Sequence, residues 1–370
     1  MQVKKLWTYN YNEPILGFQL ADINNNGQVE IITYNKTGNI FFISLDGHLI
    51  HKESISKDVP IWHLKIFDID NNGEKALILG GLDGILRTFK CDLTYNLQNL
   101  WTHKFSSSLS GILIEDINGD EINEIVTFSL DKTIRILKPL NGDLIWGQIF
   151  QDGIGDATVL KNNKNLIIGA GNDGTIRIFN GIDGELLWFK KFSDKMRCVS
   201  YLNSTNGLVV LCGGDDKKLH FIDEKTQNEL KTVEFENYIW KCKSYPSQKC
   251  SNAIISTYSF DYFFDSIPIR DIKFSSKIVC INEDLEYNWG LIGFNTECLY
   301  IIDCFDRIII CIGTTKGELI IIEGKNGRIL FKTNYAACLN SIQFNMEKKV
   351  LYCSYDDGTM CAFDITEIVT

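Results

Sequence analysis

Apolar and polar residues alternate in short runs along the whole chain, and turn residues separate the runs. A two-residue period puts one side of each run in a core and the other against a second layer or water, as in β-strands. One of the turns repeats. It reads NKTGNIFFI around Gly38, GLDGILRTF around Gly84, SLDKTIRIL around Lys132 and GNDGTIRIF around Gly174. It returns as GDDKKLHFI around Lys217, TTKGELIII around Gly317 and YDDGTMCAF around Gly358. The spacing is 41 to 48 residues except for one gap of 100, between Lys217 and Gly317. An eighth repeat fits that gap, over residues 253–284, with a long insertion in its hairpin.

Each repeat divides into four strand-length runs. The first is apolar (HLKIFDI, GILIEDI) and the second ends on small residues (LILGG, LIIGAG). The third follows the Asp-Gly turn, where glycine accepts positive φ. The fourth often carries an aromatic residue, as in NLWTHKF, DLIWGQIF and ELLWFKKF. Four short strands recurring at this period describe the blades of a β-propeller. The expectation is an all-β, eight-bladed β-propeller in one domain over 1–370, with seven blades as the alternative if one repeat is irregular. Closure is also legible. The last repeat, residues 338–370, supplies three strands, and KKLWTYN at the start of the chain has the fourth-strand pattern. The N-terminal strand is expected to complete the last blade and leave the ring without an open edge.

Composition narrows the function classes. The 370 residues are 45% hydrophobic and carry a net charge of −10. An acidic surface repels phosphate backbones, so nucleic acid is not an expected partner. No segment reads as a signal peptide or a membrane span, and no membrane insertion is expected. Most of the 12 cysteines sit inside apolar runs such as VLCGG and IIICIG, and no C-x-x-C pair occurs. They read as buried reduced thiols, and the chain as cytoplasmic.

The D-G-x-I/L hairpins and G-x-L-x-W fourth strands resemble WD40-like and quinoprotein-type propeller repeats. The segments NGDLIW (141–146) and DGELLW (183–188) are the best matches to the tryptophan-docking pattern of the quinoprotein type. The loops DINNNGQVE, DIDNNGEKA and DINGDEINE resemble the FG-GAP repeats of integrin α-type propellers. Intracellular propellers with such loops, in Bardet–Biedl-type and nutrient-signalling complexes, generally act as assembly platforms. The resemblance therefore implies a subunit of a larger hetero-complex that binds other proteins.

The same loops have calcium-like oxygen spacing. The first offers Asp22, Asn24, Asn26 and Glu30, and the third Asp116, Asn118, Asp120 and Glu124. The second has Ala76 where its last carboxylate belongs. Calcium takes six to eight oxygens, so these sets make the first and third loops candidates for weak Ca2+ at most. Asp and Asn also stabilise tight turns by bonding their own backbone, which gives a purely structural alternative. No other cofactor is expected.

Enzyme signatures are missing from the sequence. The five histidines are scattered over different repeats, and no nucleophile elbow, phosphate loop or H-E-x-x-H occurs. The expectation is a non-catalytic protein–protein interaction platform. An enzyme using the central channel for a small ligand or metal is the alternative from another class, and a calcium-binding FG-GAP propeller is the other binding reading. Two candidate contact regions stand out. At the starts of the first strands the repeats align Leu16, Trp62, Ser110, Gly155, Arg197, Trp240, a residue near Cys298, and Asn340. Trp62 with His63, Arg197, and Trp240 with Lys241 make an aromatic and cationic set of the type enriched at interface centres. The insertion YSFDYFFDSIPIRDIKF (258–274) is the second, with Tyr258, Phe260, Tyr262, Phe263 and Phe264 more apolar than a solvated loop tolerates.

Overall fold

A computed structural model describes residues 3–160, 165–246, 251–259, 276–304 and 307–370. Among them the strands form eight four-stranded antiparallel sheets, seven of them running in chain order from an inner to an outer strand. The inner strands are Ile15–Ala21, Ile61–Asp68, Leu109–Glu115, Ile154–Leu160, Met196–Ser204, Tyr238–Pro246, Thr296–Cys304 and Leu339–Asn345. These strands of blades 1 to 8 pack around one axis, which makes the eight-bladed propeller that the repeats predict. The single helix among the described residues is one turn, Thr366–Val369.

The ring closes as the terminal patterns require. Lys4–Asn10 pairs antiparallel with Thr359–Asp364, from Lys4 opposite Asp364 to Asn10 opposite Thr359. It becomes the outer strand of blade 8 and covers an edge that would otherwise expose unpaired backbone.

The repeated turn is a left-handed backbone position in every blade where the sequence shows it. Gly38, Gly84, Gly174, Gly317 and Gly358 have φ between 66° and 89°. Lys132 and Lys217 adopt the same conformation, with φ of 75° and 62°, despite their side chains. The reason for glycine is clearest at Gly317, where a Cβ would lie 2.1 Å from the carbonyl oxygen of Tyr335.

Two side-chain devices tie several blades to their neighbours. The fourth-strand tryptophans reach across: Trp7 Nε1 donates to Leu45 O, Trp101 to Pro139 O, Trp146 to Gly181 O and Trp289 to Gly324 O, all at 2.7–2.9 Å. In the second device, the aspartate of the turn pairs with a cation four residues on: Asp83–Arg87, Asp131–Arg135, Asp173–Arg177 and Asp216–His220. Arg135 then lies 4.4 Å from the Phe105 ring centroid of the preceding blade, and Arg177 4.2 Å from that of Phe150. Each seated tryptophan joins aromatic burial, worth about 1.5–3 kcal/mol, to a hydrogen bond worth about 1 kcal/mol.

Candidate functional site

The inner strands share one irregularity. Each has a β-bulge at its first turn of pairing, and the bulged residues are Leu16, Trp62, Ser110, Gly155, Arg197, Trp240, Glu297 and Asn340. Seven are the residues that the repeat alignment picks out. The seventh-blade member is Glu297, one position before Cys298. An extra residue bends the strand and re-aims the side chains after it. Two positions past the bulge the side chains face the core, as Phe18, Leu64, Ile112 and Ile342 do. One and three positions past it they are mostly polar and line the axis, Lys243 exposed and the others partly so: His63 and Lys65, Asp156 and Thr158, Lys241 and Lys243, Ser341 and Gln343.

This arrangement divides the predicted aromatic and cationic set. Trp62 belongs to blade 2 and Trp240 to blade 6, so they lie on opposite sides of an eight-membered ring. Trp240 is 5.2 Å from the ring of Tyr258, which pairs with Tyr238 at the same end of the blade. Arg197, in the adjacent blade 5, is held by Asp215 through two hydrogen bonds of 2.8 and 2.7 Å. Lys241 Nζ donates to the backbone carbonyl of Glu297. Arg197, Trp240, Lys241 and Tyr258 thus gather on one side of the channel mouth, and Trp62 with His63 stands apart. Phe260, Tyr262, Phe263 and Phe264 lie outside the described residues.

The channel is electrostatically uneven. Burial, reinforced by Lys65, lowers the His63 pKa to about 4 and leaves the imidazole neutral. Burial also lowers the pKa of Lys65 and of Lys243, and the two lysines are close enough for Lys65 to add to the effect at Lys243. Asp156 is pushed up to about 7 by burial, against the backbone N–H groups of Val199 and Ala157 that it accepts at 3.0 and 2.9 Å. Beside Lys65 the wall opens into a cavity of about 290 Å³. Lys65, Lys243 and Asp156 are absent from the sequence-based candidates. The available signal was the offset from the bulge, three residues for both lysines and one for Asp156.

The acidic loops sit at the other end of the inner strands, and their oxygens serve the backbone. Asp22 accepts from the N–H groups of Asn26 and Gly27, and Asp116 from those of Gly119 and Glu121. Asn24 and Asn26 accept from Asn26 N–H and Gln28 N–H, and Asp120 from Ile122 N–H. Glu30 is buried, accepting from Ile23 N–H and the Tyr95 hydroxyl, and Glu124 from Ile117 N–H and the Asn118 amide. Burial raises the pKa of both glutamates. The loops also link to one another, since Asn25 donates to Gly73 O and Asn71 to Glu121 O. Among the described residues no three His, Cys, Asp or Glu side chains converge as a metal-binding group.

The outer rim presents a feature the alternation did not single out. Among the described residues, 21 large hydrophobic side chains are exposed, and eight of them lie in or just before the outer strands of blades 3 and 4. These are Leu140, Leu144, Ile145 and Ile149, and then Ile182, Leu186, Leu187 and Phe189; Ile149 is 70% and Phe189 60% exposed. Arg177, in the third strand of blade 4, donates to Ile149 O, which ties the outer strand of blade 3 to blade 4. The sequence signal was present in LIWGQI and LLWFKK, where exposed apolar residues flank the fourth-strand tryptophan.

A family model described as the lambda-carrageenase β-propeller domain matches residues 155–260. No curated protein matches the sequence. Among solved structures, the chain is similar to the computationally designed protein Ika8, with a TM-score of 0.72 at 14% identity over 96% of this chain and 98% of that one. It is similar to BamB from Moraxella catarrhalis, with a TM-score of 0.65 at 14% identity over 98% and 100%. A third likeness is Sqt1 from Saccharomyces cerevisiae, with a TM-score of 0.73 at 10% identity over 99% and 100%. At these identities the likeness establishes the propeller fold and leaves activity to the site itself.

Proposed function

We propose that this propeller is a non-catalytic protein–protein interaction platform, a subunit of a larger cytoplasmic assembly, and that it docks through the rim of blades 3 and 4. The observation that carries this reading is the concentration of exposed apolar side chains there, from Leu140 to Phe189. Exposed apolar area of this kind costs solubility unless something covers it, whereas scattered single residues need no explanation. The channel supports a binding role over a catalytic one. Its lysines face each other as like charges and His63 is neutral, without the nucleophile–base pairing that acyl transfer needs. Among the described residues no helix is long and apolar enough to cross a membrane. The acidic loops act in this reading as turn locks between blades, with calcium at the first and third loops weak at most.

Affinity purification distinguishes the two candidate surfaces. Ile149→Glu with Phe189→Glu is expected to lose the partners of the parent chain, and Trp62→Ala with Trp240→Ala to keep them. The reverse pattern would move the interface to the channel mouth, and no loss in either would end the platform reading at both places.

A further inference from the structure

The axial channel holds positive charge in a protein whose net charge is −10. Lys65 and Lys243 occupy the same position, three residues past the bulge, in blades 2 and 6. With eight blades these two are opposite each other, so both ammonium groups point toward one axis. Among the described residues neither forms a salt bridge. Glu115 attracts Lys65 at longer range. The other titratable groups facing this stretch are His63, Asp156 and Lys241, and Lys241 is turned to the Glu297 carbonyl. Lys65 is partly buried and Lys243 is exposed, and two like charges held near each other draw a counter-charge toward them.

The cavity of about 290 Å³ beside Lys65 is where such a counter-charge fits. Its polar lining is Lys65, His63, Gln19, Gln343, Ser110, Ser341 and Tyr34, a set with amide, hydroxyl and ammonium donors and no carboxylate; Lys243, in the opposite blade, is outside that lining. The Ser110 hydroxyl is buried and has no hydrogen-bond partner. Room for the cavity comes from the blade floor, where Gly111 leaves space for the Phe128 ring, 1.9 Å from where a Cβ would stand.

We propose that Lys65 and Lys243, with the cavity beside Lys65, bind a dianionic oxyanion of the phosphate class. Two ammonium groups match two negative charges, and lysine recognises phosphate as a point charge without the planar geometry that arginine imposes. The amides of Gln19 and Gln343 and the Ser110 hydroxyl supply neutral donors for the remaining oxygens. A cavity of this size is near the lower bound of small-ligand pockets, roughly 300 Å³, and has space for a small organic group on the phosphate. The site is independent of the rim contact, so either can fail without the other.

Calorimetric titration of the full chain with inorganic phosphate, at constant ionic strength held with sodium chloride, tests it. Saturable binding is expected in the parent, weakened at least tenfold in Lys65→Gln and in Lys243→Gln. Without phosphate, both variants are expected to melt at a higher temperature than the parent, because one of two repelling charges is gone. A merely structural lysine would not give that rise together with the loss of phosphate-induced stabilisation. Glycerol 3-phosphate binding as well as or better than phosphate supports the proposal, the stronger binding identifying a monoester and equal binding the free ion. Absence of saturable phosphate binding in the parent, unchanged binding in both variants, or acetate binding as tightly as phosphate would overturn it.

Discussion

The indole of Trp146 donates to the carbonyl of Gly181 in the next blade at 2.7 Å, and it can do so because Gly184 lies beneath it. A Cβ on Gly184 would stand 2.6 Å from the ring. Gly142 makes the same seat for Trp101, and Gly327 for Trp289. In blade 5 the corresponding position is Gln227, with φ of 62°, and Trp188 Nε1 is buried there without a partner. The seat that receives three other tryptophans is occupied by a side chain at this one junction.

Gln227→Gly is therefore expected to raise stability by about 1 kcal/mol, the cost of holding a non-glycine residue left-handed. Trp146→Ala is expected to lower it by about 3–5 kcal/mol, as for other buried aromatic truncations. Chemical denaturation of both variants measures these changes. A Gln227→Gly protein no more stable than the parent would show that the orphaned indole has another cause.

The repeated turn makes a paired prediction. Lys132 is exposed and left-handed, so Lys132→Gly should stabilise by about 0.5–1 kcal/mol. Gly317→Ala should destabilise by roughly 1–3 kcal/mol, because both φ and the Tyr335 carbonyl oppose a methyl group. Equal effects at the two positions would contradict the shared turn geometry.

His220 sets a pH dependence. Burial opposes its charge, but Asp216 at 2.8 Å and Glu229 at 2.7 Å outweigh that and raise its pKa above 6.5. Its contribution is fully present below pH 6.5 and is lost as pH rises through the raised folded value. Glu229 is partly buried, yet its bonds from His220, Thr232 and Lys190 hold it down at about 2. Its contribution is present above pH 4.5 and fades as pH falls toward 2. The melting temperature should therefore decline more steeply above pH 6.5 in the parent than in His220→Gln. Parallel curves would remove this ion cluster from the account.

The acidic loops separate turn chemistry from metal binding. Asp116→Ala removes the acceptor for Gly119 and Glu121 N–H and should lower the melting temperature. Calcium titrated into the micromolar range should release the same heat from the parent, Asp116→Ala and Asp120→Ala. Heat seen in the parent and lost in both variants would make loop three a calcium site.

Much of this architecture is written in short-range patterns. The turn around residues 38, 84, 132, 174, 217, 317 and 358 follows from glycine at positive φ, and even Lys132 and Lys217 keep the register because the flanking strands impose it. The pairing of Lys4–Asn10 with Thr359–Asp364 was legible because a fourth-strand pattern at one end met a missing fourth strand at the other. The site was harder to read. Lys65 and Lys243 are 178 positions apart in the chain and meet only because the ring puts blades 2 and 6 face to face. Trp62 and Trp240 look like one patch in an alignment for the same reason, although the ring separates them. The rim residues Ile149 and Phe189 escaped notice because alternation tells which side of a strand is apolar, and the outermost strand has apolar residues on both sides.

The central claim is that the rim of blades 3 and 4 is covered in the working assembly. Hydrogen–deuterium exchange on the chain alone and on the complex purified with it tests this directly. The account predicts slower exchange on partner binding in Leu144–Ile149 and Leu186–Lys191, with the rest of the ring unchanged. Protection confined to the channel mouth around Trp62 or Trp240, with those two outer strands exchanging as in the free chain, would contradict it.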